Sequence, residues 1–268
     1  MTPDRYVRAF RSLKEEKRSG FIPFTIMGDP DFKKSLDIVR AFTDSGADIV
    51  ELGLPFSDPI ADGPVNQRAG LRALERGMNT GNMMRFIERV RRFTDVPVGL
   101  LCYYNPVLQY GIRNFYAGAA SAGADSVLVA DSAVEEASLL CEAAEKARMG
   151  TVFILSELSD RTRIKKTAEK TTAFIYLVSR LGVTGVRHAL SPRVRPLVRL
   201  VRGITDRPLC VGFGISAPEQ VKRLRQLKVE GVICGSAIVK KIEENLKSGK
   251  KMIREISAFV RSMRRACG

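Results

Sequence analysis

The sequence predicts an α/β protein built as a single (β/α)8 TIM barrel with an extra N-terminal helix. Three observations carry that prediction. Short apolar, β-branched runs alternate eight times with helical patterns. Several of these runs begin just after a helix stops at glycine. Ser45-Gly46-Ala47-Asp48 precedes Ile49-Val50, and Ala122-Gly123-Ala124-Asp125 precedes Ser126-Val127-Leu128-Val129; Glu230-Gly231 before Val232-Ile233-Cys234 is a weaker third copy. The runs are near-continuously apolar, as strands of a parallel sheet covered by helices on both faces are. A doubly wound sheet is the alternative, but it has fewer strands and a glycine-rich first turn, which FTIMGDP is not.

Taken in order, residues 2–18 read as a helix with Tyr6, Val7, Phe10 and Leu13 on one face. The first strand, 21–26, ends at Gly28-Asp29-Pro30. A helix over 33–44 follows, with Gly46 as its C′ residue. Further strands are expected at 47–53, 97–102, 125–130, 151–155, 173–178, 208–213 and 230–235. Helices are expected near 80–93, 112–122, 134–148, 160–170, 192–203, 216–228 and 240–265. No linker rich in Pro, Gly or Ser divides the chain, so residues 1–268 are expected to form one domain.

Composition narrows the function. No run of 18 apolar residues occurs, and the N-terminal stretch lacks the apolar core of a signal peptide, so a cytoplasmic protein is expected. The five cysteines (102, 141, 210, 234 and 267) have no metal-binding spacing and read as small buried hydrophobes in a reducing compartment. His188 is the one histidine, which excludes a His-rich metal site. The net charge of +15 comes from basic residues spread over helices without interleaved aromatics, the pattern of a solvated exterior rather than a nucleic-acid surface.

Function in this fold sits at the C-terminal ends of the strands. Those ends carry Gly28-Asp29, Glu51, Tyr103-Tyr104-Asn105, Asp131, Ser156-Glu157, Tyr176, Gly212-Phe213-Gly214 and Gly235-Ser236. Glu51 and Asp62 stand in ELGLPFSDPIADGP, a long loop stiffened by Pro55, Pro59 and Pro64. On composition alone this loop reads equally as a chemical site or as a solvated acidic cap for the next helix. The glycines after the seventh and eighth strands, with a helix opening at Ser236, predict a phosphate site. Val183-Thr184-Gly185 could add a third cluster of donors.

Several motifs occur together and in order from about residue 20 to 245: ELGLPFSDPIADGP, CYYNPVLQYG, DSVLVAD, FIYLVSRLGVTG, VGFGISAPEQV and GSAIVK. They resemble the tryptophan synthase alpha subunit family. The resemblance implies retro-aldol cleavage of indole-3-glycerol phosphate to indole and glyceraldehyde 3-phosphate. Such cleavage needs an electron sink. The predicted strand ends carry no lysine for a Schiff base, and one histidine builds no metal site. The sink then lies in the substrate: protonation at C3 of the indole makes an iminium-like tautomer, and two carboxyl groups in separate roles suffice.

By the resemblance, Glu51 is the acid–base residue and Asp62 accepts a hydrogen bond from the indole N–H. Tyr176 contacts the substrate; Phe24, Leu101, Leu128 and Phe213 line the indole pocket or serve as barrel core. Gly185, Gly214, Gly235 and Ser236 are the phosphate donors, and no metal or cofactor is expected. The resemblance further implies docking on a pyridoxal phosphate-dependent β subunit as α2β2, through Pro55–Pro59, Asn105–Tyr110 and the segment after Gly185. The chain departs from the family's pattern at Ser156-Glu157-Leu158-Ser159-Asp160, at Asp131-Ser132-Ala133 and just after Gly185. A different phosphate-sugar barrel enzyme, or a non-catalytic subunit that activates its β partner, are the competing readings.

Overall fold

The computed structural model describes residues 3–178, 191–212 and 214–268. Its strands are β1 (Gly20–Ile26), β2 (Val50–Gly53), β3 (Val98–Cys102), β4 (Ser126–Val129), β5 (Gly150–Thr151), β6 (Phe153–Leu155), β7 (Ile175–Val178), β8 (Leu209–Gly212) and β9 (Gly231–Cys234). They lie in one sheet, in the order β5-β4-β3-β2-β1-β9-β8-β7-β6, and every pair is parallel. Nine segments appear where eight strands are expected because the stretch 150–155 changes partner at Val152. Gly150 and Thr151 pair with β4, whereas Phe153 to Leu155 pair with β7. One extended stretch thereby closes the sheet into a barrel.

The strands are buried on both faces, as their unbroken apolar runs require. An inner layer includes Ile22, Ile49, Leu128, Val152, Phe174, Tyr176, Cys210 and Ile233. The larger outer layer packs the other strand face against the helices.

The N-terminal helix, Asp4–Glu15, closes the barrel at the end where the strands begin. Tyr6 is fully buried there. Its ring stacks on Phe10 and tilts against Phe174, with centroids 6.0 and 5.8 Å away. Its hydroxyl is 2.8 Å from Ser126 Oγ. Gly99 leaves room for that hydroxyl, since a β-carbon there would stand 3.0 Å from the oxygen. Val7, expected on the buried face, is 40% exposed; the helix packs through the narrower stripe of Tyr6, Phe10 and Leu13.

Other stretches also differ from expectation, among them a short helix, Tyr104–Tyr110, directly after β3. Between β2 and β3 there are two helices, Pro64–Glu75 and Thr80–Arg91, and the first begins with proline at N1 after Gly63. The region expected as one helix over 240–265 forms two, Ser236–Glu244 and Gly249–Ala266. Asn245 leaves helical geometry between them, and its amide donates to Lys241 O and to Glu255 Oε2.

An ion network ties three elements together. Asp29, fully buried after β1, accepts two hydrogen bonds from Arg72, at 2.8 and 3.0 Å. Arg72 also donates to Glu243 at 3.0 Å, and Glu243 accepts two more from Arg68. The end of β1 is thus linked through the 64–75 helix to the 236–244 helix.

Candidate active site

Glu51 lies in β2, paired with Phe24 of β1 and Gly99 of β3. It is the one charged side chain in a strand whose other residues are valine, leucine and glycine, and it is 4% exposed. Among the described residues nothing hydrogen-bonds or ion-pairs with its carboxyl. Burial alone therefore raises its pKa, to about 8. Glu51 is a carboxylic acid that keeps its proton at neutral pH.

Asp62 is in a different environment. It lies just before the 64–75 helix, whose N-terminal end carries partial positive charge. Asn66 Nδ2 donates to Asp62 Oδ1 at 2.9 Å, and Tyr103 Oη donates to Oδ2 at 3.0 Å. Gln67 Nε2 donates to the Asp62 carbonyl at 2.8 Å. Burial raises the Asp62 pKa, and the donors Asn66 and Tyr103 oppose that shift by favouring the charged form. Burial also pushes the Tyr103 hydroxyl well above its ordinary range, so it stays a donor. The Tyr103 ring is 5.5 Å from that of Phe56, and its oxygen accepts from Ala61 N at 3.2 Å. One tyrosine thus touches the loop at three points.

Both acids line a single cavity of about 230 Å3 at the C-terminal ends of the strands. Phe24, Leu101 and Tyr176 form part of its wall, with Ile154 and Ile233. Phe24 fits between Gly53 and Gly235, where β-carbons would come 2.8 and 2.9 Å from its ring. Of the two readings open for Leu128, pocket wall or barrel core, the structure gives the core: it pairs with Leu101, packs in the inner layer and is not among the residues that line the cavity. Strand periodicity gives the face of a residue, not its height along the barrel. Phe213 and Gly185 lie outside the described residues, as does His188.

Gly214, Gly235 and Ser236 line the same cavity. Gly214 has φ +77°, a conformation open to glycine at no steric cost. Gln220 braces this turn: its side-chain oxygen accepts from Ser216 N at 2.7 Å and Ala217 N at 3.0 Å, and its amide donates to Gly214 O at 3.3 Å. Ser236 opens a nine-residue helix, so its N–H and that of Ala237 have no acceptor within that helix, an arrangement suited to an anion. One end of the cavity therefore suits a phosphate, and the aromatic and aliphatic wall suits a flat apolar ring.

The atypical loop after β6 takes part in both site and scaffold. Ser156 lines the cavity. Asp160 caps the helix Arg161–Lys170 through Arg163 N at 2.7 Å, and Glu157 pairs with Arg193 at 3.2 Å. Among the described residues no three His, Cys, Asp or Glu side chains converge as a metal site, and no lysine lines the cavity.

Asn66 is a site residue that sequence reasoning missed, and Tyr103 is one that it places at a strand end without a role. The available signals were the four-residue spacing from Asp62 to Asn66 across a helix start marked Gly63-Pro64, and the position of Tyr103 directly after a strand.

The family model described as tryptophan synthase alpha chain matches residues 10–267. The chain is 45% identical over 264 residues to the tryptophan synthase alpha chain of Solibacter usitatus, covering 98% of each. It is 44% identical over 248 residues to that of Methanothermobacter thermautotrophicus, covering 92% of each. A solved structure of Mycobacterium tuberculosis tryptophan synthase superposes with a TM-score of 0.91 at 29% identity, covering 100% of this chain and 99% of that one. The alpha subunit from Legionella pneumophila gives 0.90 at 30% identity, covering 100% and 98%.

Proposed function

Because the chain belongs to the tryptophan synthase alpha chain family, and so cleaves indole-3-glycerol phosphate to indole and glyceraldehyde 3-phosphate, we propose that Glu51 and Asp62 carry the two halves of that reaction. The observation that supports this is the opposite setting of two carboxyl groups in one cavity. Glu51 is isolated and protonated; Asp62 is held by two donors and a helix N-terminus.

Glu51 gives its proton to C3 of the indole. The ring becomes an iminium-like cation, which Asp62 stabilises through the indole N–H. The bond from C3 to the glycerol carbon breaks, and its electron pair returns to the ring. The Glu51 carboxylate then takes the proton of the C3′ hydroxyl as that carbon becomes the aldehyde, which restores the acid. No electron acceptor outside the substrate is required. Gly214, Gly235 and Ser236 bind the phosphate, with Gly185 as the further donor assigned by resemblance. Tyr176, Phe24 and Leu101 hold the ring, with Phe213 assigned to the same wall.

The chain needs no cofactor of its own on this reading, and pyridoxal phosphate belongs to a β partner. A β chain is the partner the family implies, and the assembly is α2β2. Leu108 and Tyr110, which are 49% and 40% exposed, give the docking rim an apolar character, and Ile60, 74% exposed, adjoins it next to Pro59. Residues 1–268 act as one domain in the cytoplasm. Among the described residues no helix is long and apolar enough to cross a membrane.

The test is indole release by the purified chain, alone and with a β subunit. Glu51→Gln should fold, bind indole-3-glycerol phosphate and make no indole; turnover by that variant removes Glu51 from the mechanism.

A further inference from the structure

We propose that Asn66 is the positioning residue for Asp62, holding its carboxylate at the cavity wall so that it meets the substrate ring nitrogen. This rests on the role given to Asp62 above. Asn66 is 4% exposed, and its amide nitrogen lies 2.9 Å from Asp62 Oδ1. A buried amide on a largely apolar wall is costly unless its hydrogen bonds are made. Here the bond is made to a carboxylate, which doubles its strength relative to a neutral pair.

The geometry spreads the restraint over two elements. Tyr103, fixed after β3, holds Oδ2, whereas Asn66, in the first turn of the 64–75 helix, holds Oδ1. The neighbouring Gln67 holds the Asp62 carbonyl, so backbone and side chain are tied to the same helical turn. A carboxylate has about four acceptor sites. Among the described residues two are used by the protein, which leaves capacity for the indole N–H. Without Asn66 the carboxylate keeps one of these two anchors and can swing about the Tyr103 bond. A carboxylate misplaced by about 1 Å loses on the order of 100-fold in rate.

The test compares Asn66→Ala, Asn66→Asp and Asp62→Asn in the full chain, with indole-3-glycerol phosphate as substrate. Thermal unfolding monitors folding. Among the described residues, the titratable groups facing Asp62 are the Tyr103 and Tyr176 hydroxyls and the Glu51 carboxyl, with Asp131 acting on Tyr103. Asn66→Ala is expected to lower kcat about 10- to 100-fold with little change in KM. The acid limb of its pH profile should move up by about one unit or more, because a donor to the charged form is gone. Asn66→Asp keeps the shape and inverts the interaction, so it should move that limb further. It also carries the test if the alanine variant does not fold.

A wild-type kcat and acid limb in the Asn66 variants, with Asp62→Asn inactive, overturns the positioning role. An active Asp62→Asn variant instead overturns the site reading beneath it.

Discussion

The hydroxyl of Tyr176 lies so close over Gly212 that a β-carbon at Gly212 would stand 2.2 Å from the tyrosine oxygen. The two residues are on neighbouring strands, β7 and β8, and no L side chain other than hydrogen fits between them. Gly212→Ala should displace the tyrosine from the cavity wall. The expected outcome is a stability loss of about 1–3 kcal/mol from overpacking, with a raised KM for indole-3-glycerol phosphate. Thermal melts and steady-state kinetics check both; an unchanged KM would show that Tyr176 does not shape the substrate site.

The buried Glu51 carboxyl makes stability depend on pH. In the folded state it holds its proton to about pH 8, against an ordinary value of 4.5. The folded state therefore binds more protons between those values, and stability falls as pH rises through that window. Glu51→Gln removes the penalty. It should match the wild type below about pH 4.5 and exceed it by up to roughly 5 kcal/mol above about pH 8, at 1.36 kcal/mol per unit. Denaturant unfolding of both proteins across this range is the measurement.

The same proton sets the alkaline limit of catalysis. If Glu51 must begin as the acid, kcat/KM of the free enzyme should fall above about pH 8. Asp62 must begin ionised, so the acid limb should lie above the ordinary aspartate range, in the direction that its burial imposes. A rate profile flat through pH 8 would mean that the Glu51 proton is not the one transferred.

Arg72 neutralises the fully buried Asp29. Arg72→Ala leaves that carboxylate without its partner and should cost about 3–5 kcal/mol. The loss should shrink at acid pH, where Asp29 takes up a proton. Pairing Arg72→Met with Asp29→Asn should recover most of it, as read by thermal unfolding. Breaking only the exposed Arg68–Glu243 contact by Arg68→Ala should leave the melting temperature almost unchanged, because water already screens that pair.

The legible parts of this chain are those set by local chemistry. Glu51 stands out because a lone acid inside an apolar run has no packing role, and Gly46 because a helix that stops at glycine needs its positive φ, here 90°. The closure at Val152 is not legible, since a strand's choice of partner depends on residues far along the chain. Leu128 shows the same limit: alternation assigns it inward, but whether it meets ligand or core depends on the tilt of the barrel. Asn66 escaped because its partner lies across a loop–helix boundary, where neither period applies. The break at Asn245 escaped because the helical pattern runs through it, and the amide contacts that hold the turn are tertiary.

The tyrosine under the barrel has a consequence for traffic. With Tyr6, Phe10 and Phe174 stoppering one end, the cavity is a cul-de-sac among the described residues. The two fragments of cleavage differ completely in polarity, yet neither can leave through the end that these rings fill. Whatever covers the rim at the C-terminal ends of the strands therefore bears on admission and discharge alike.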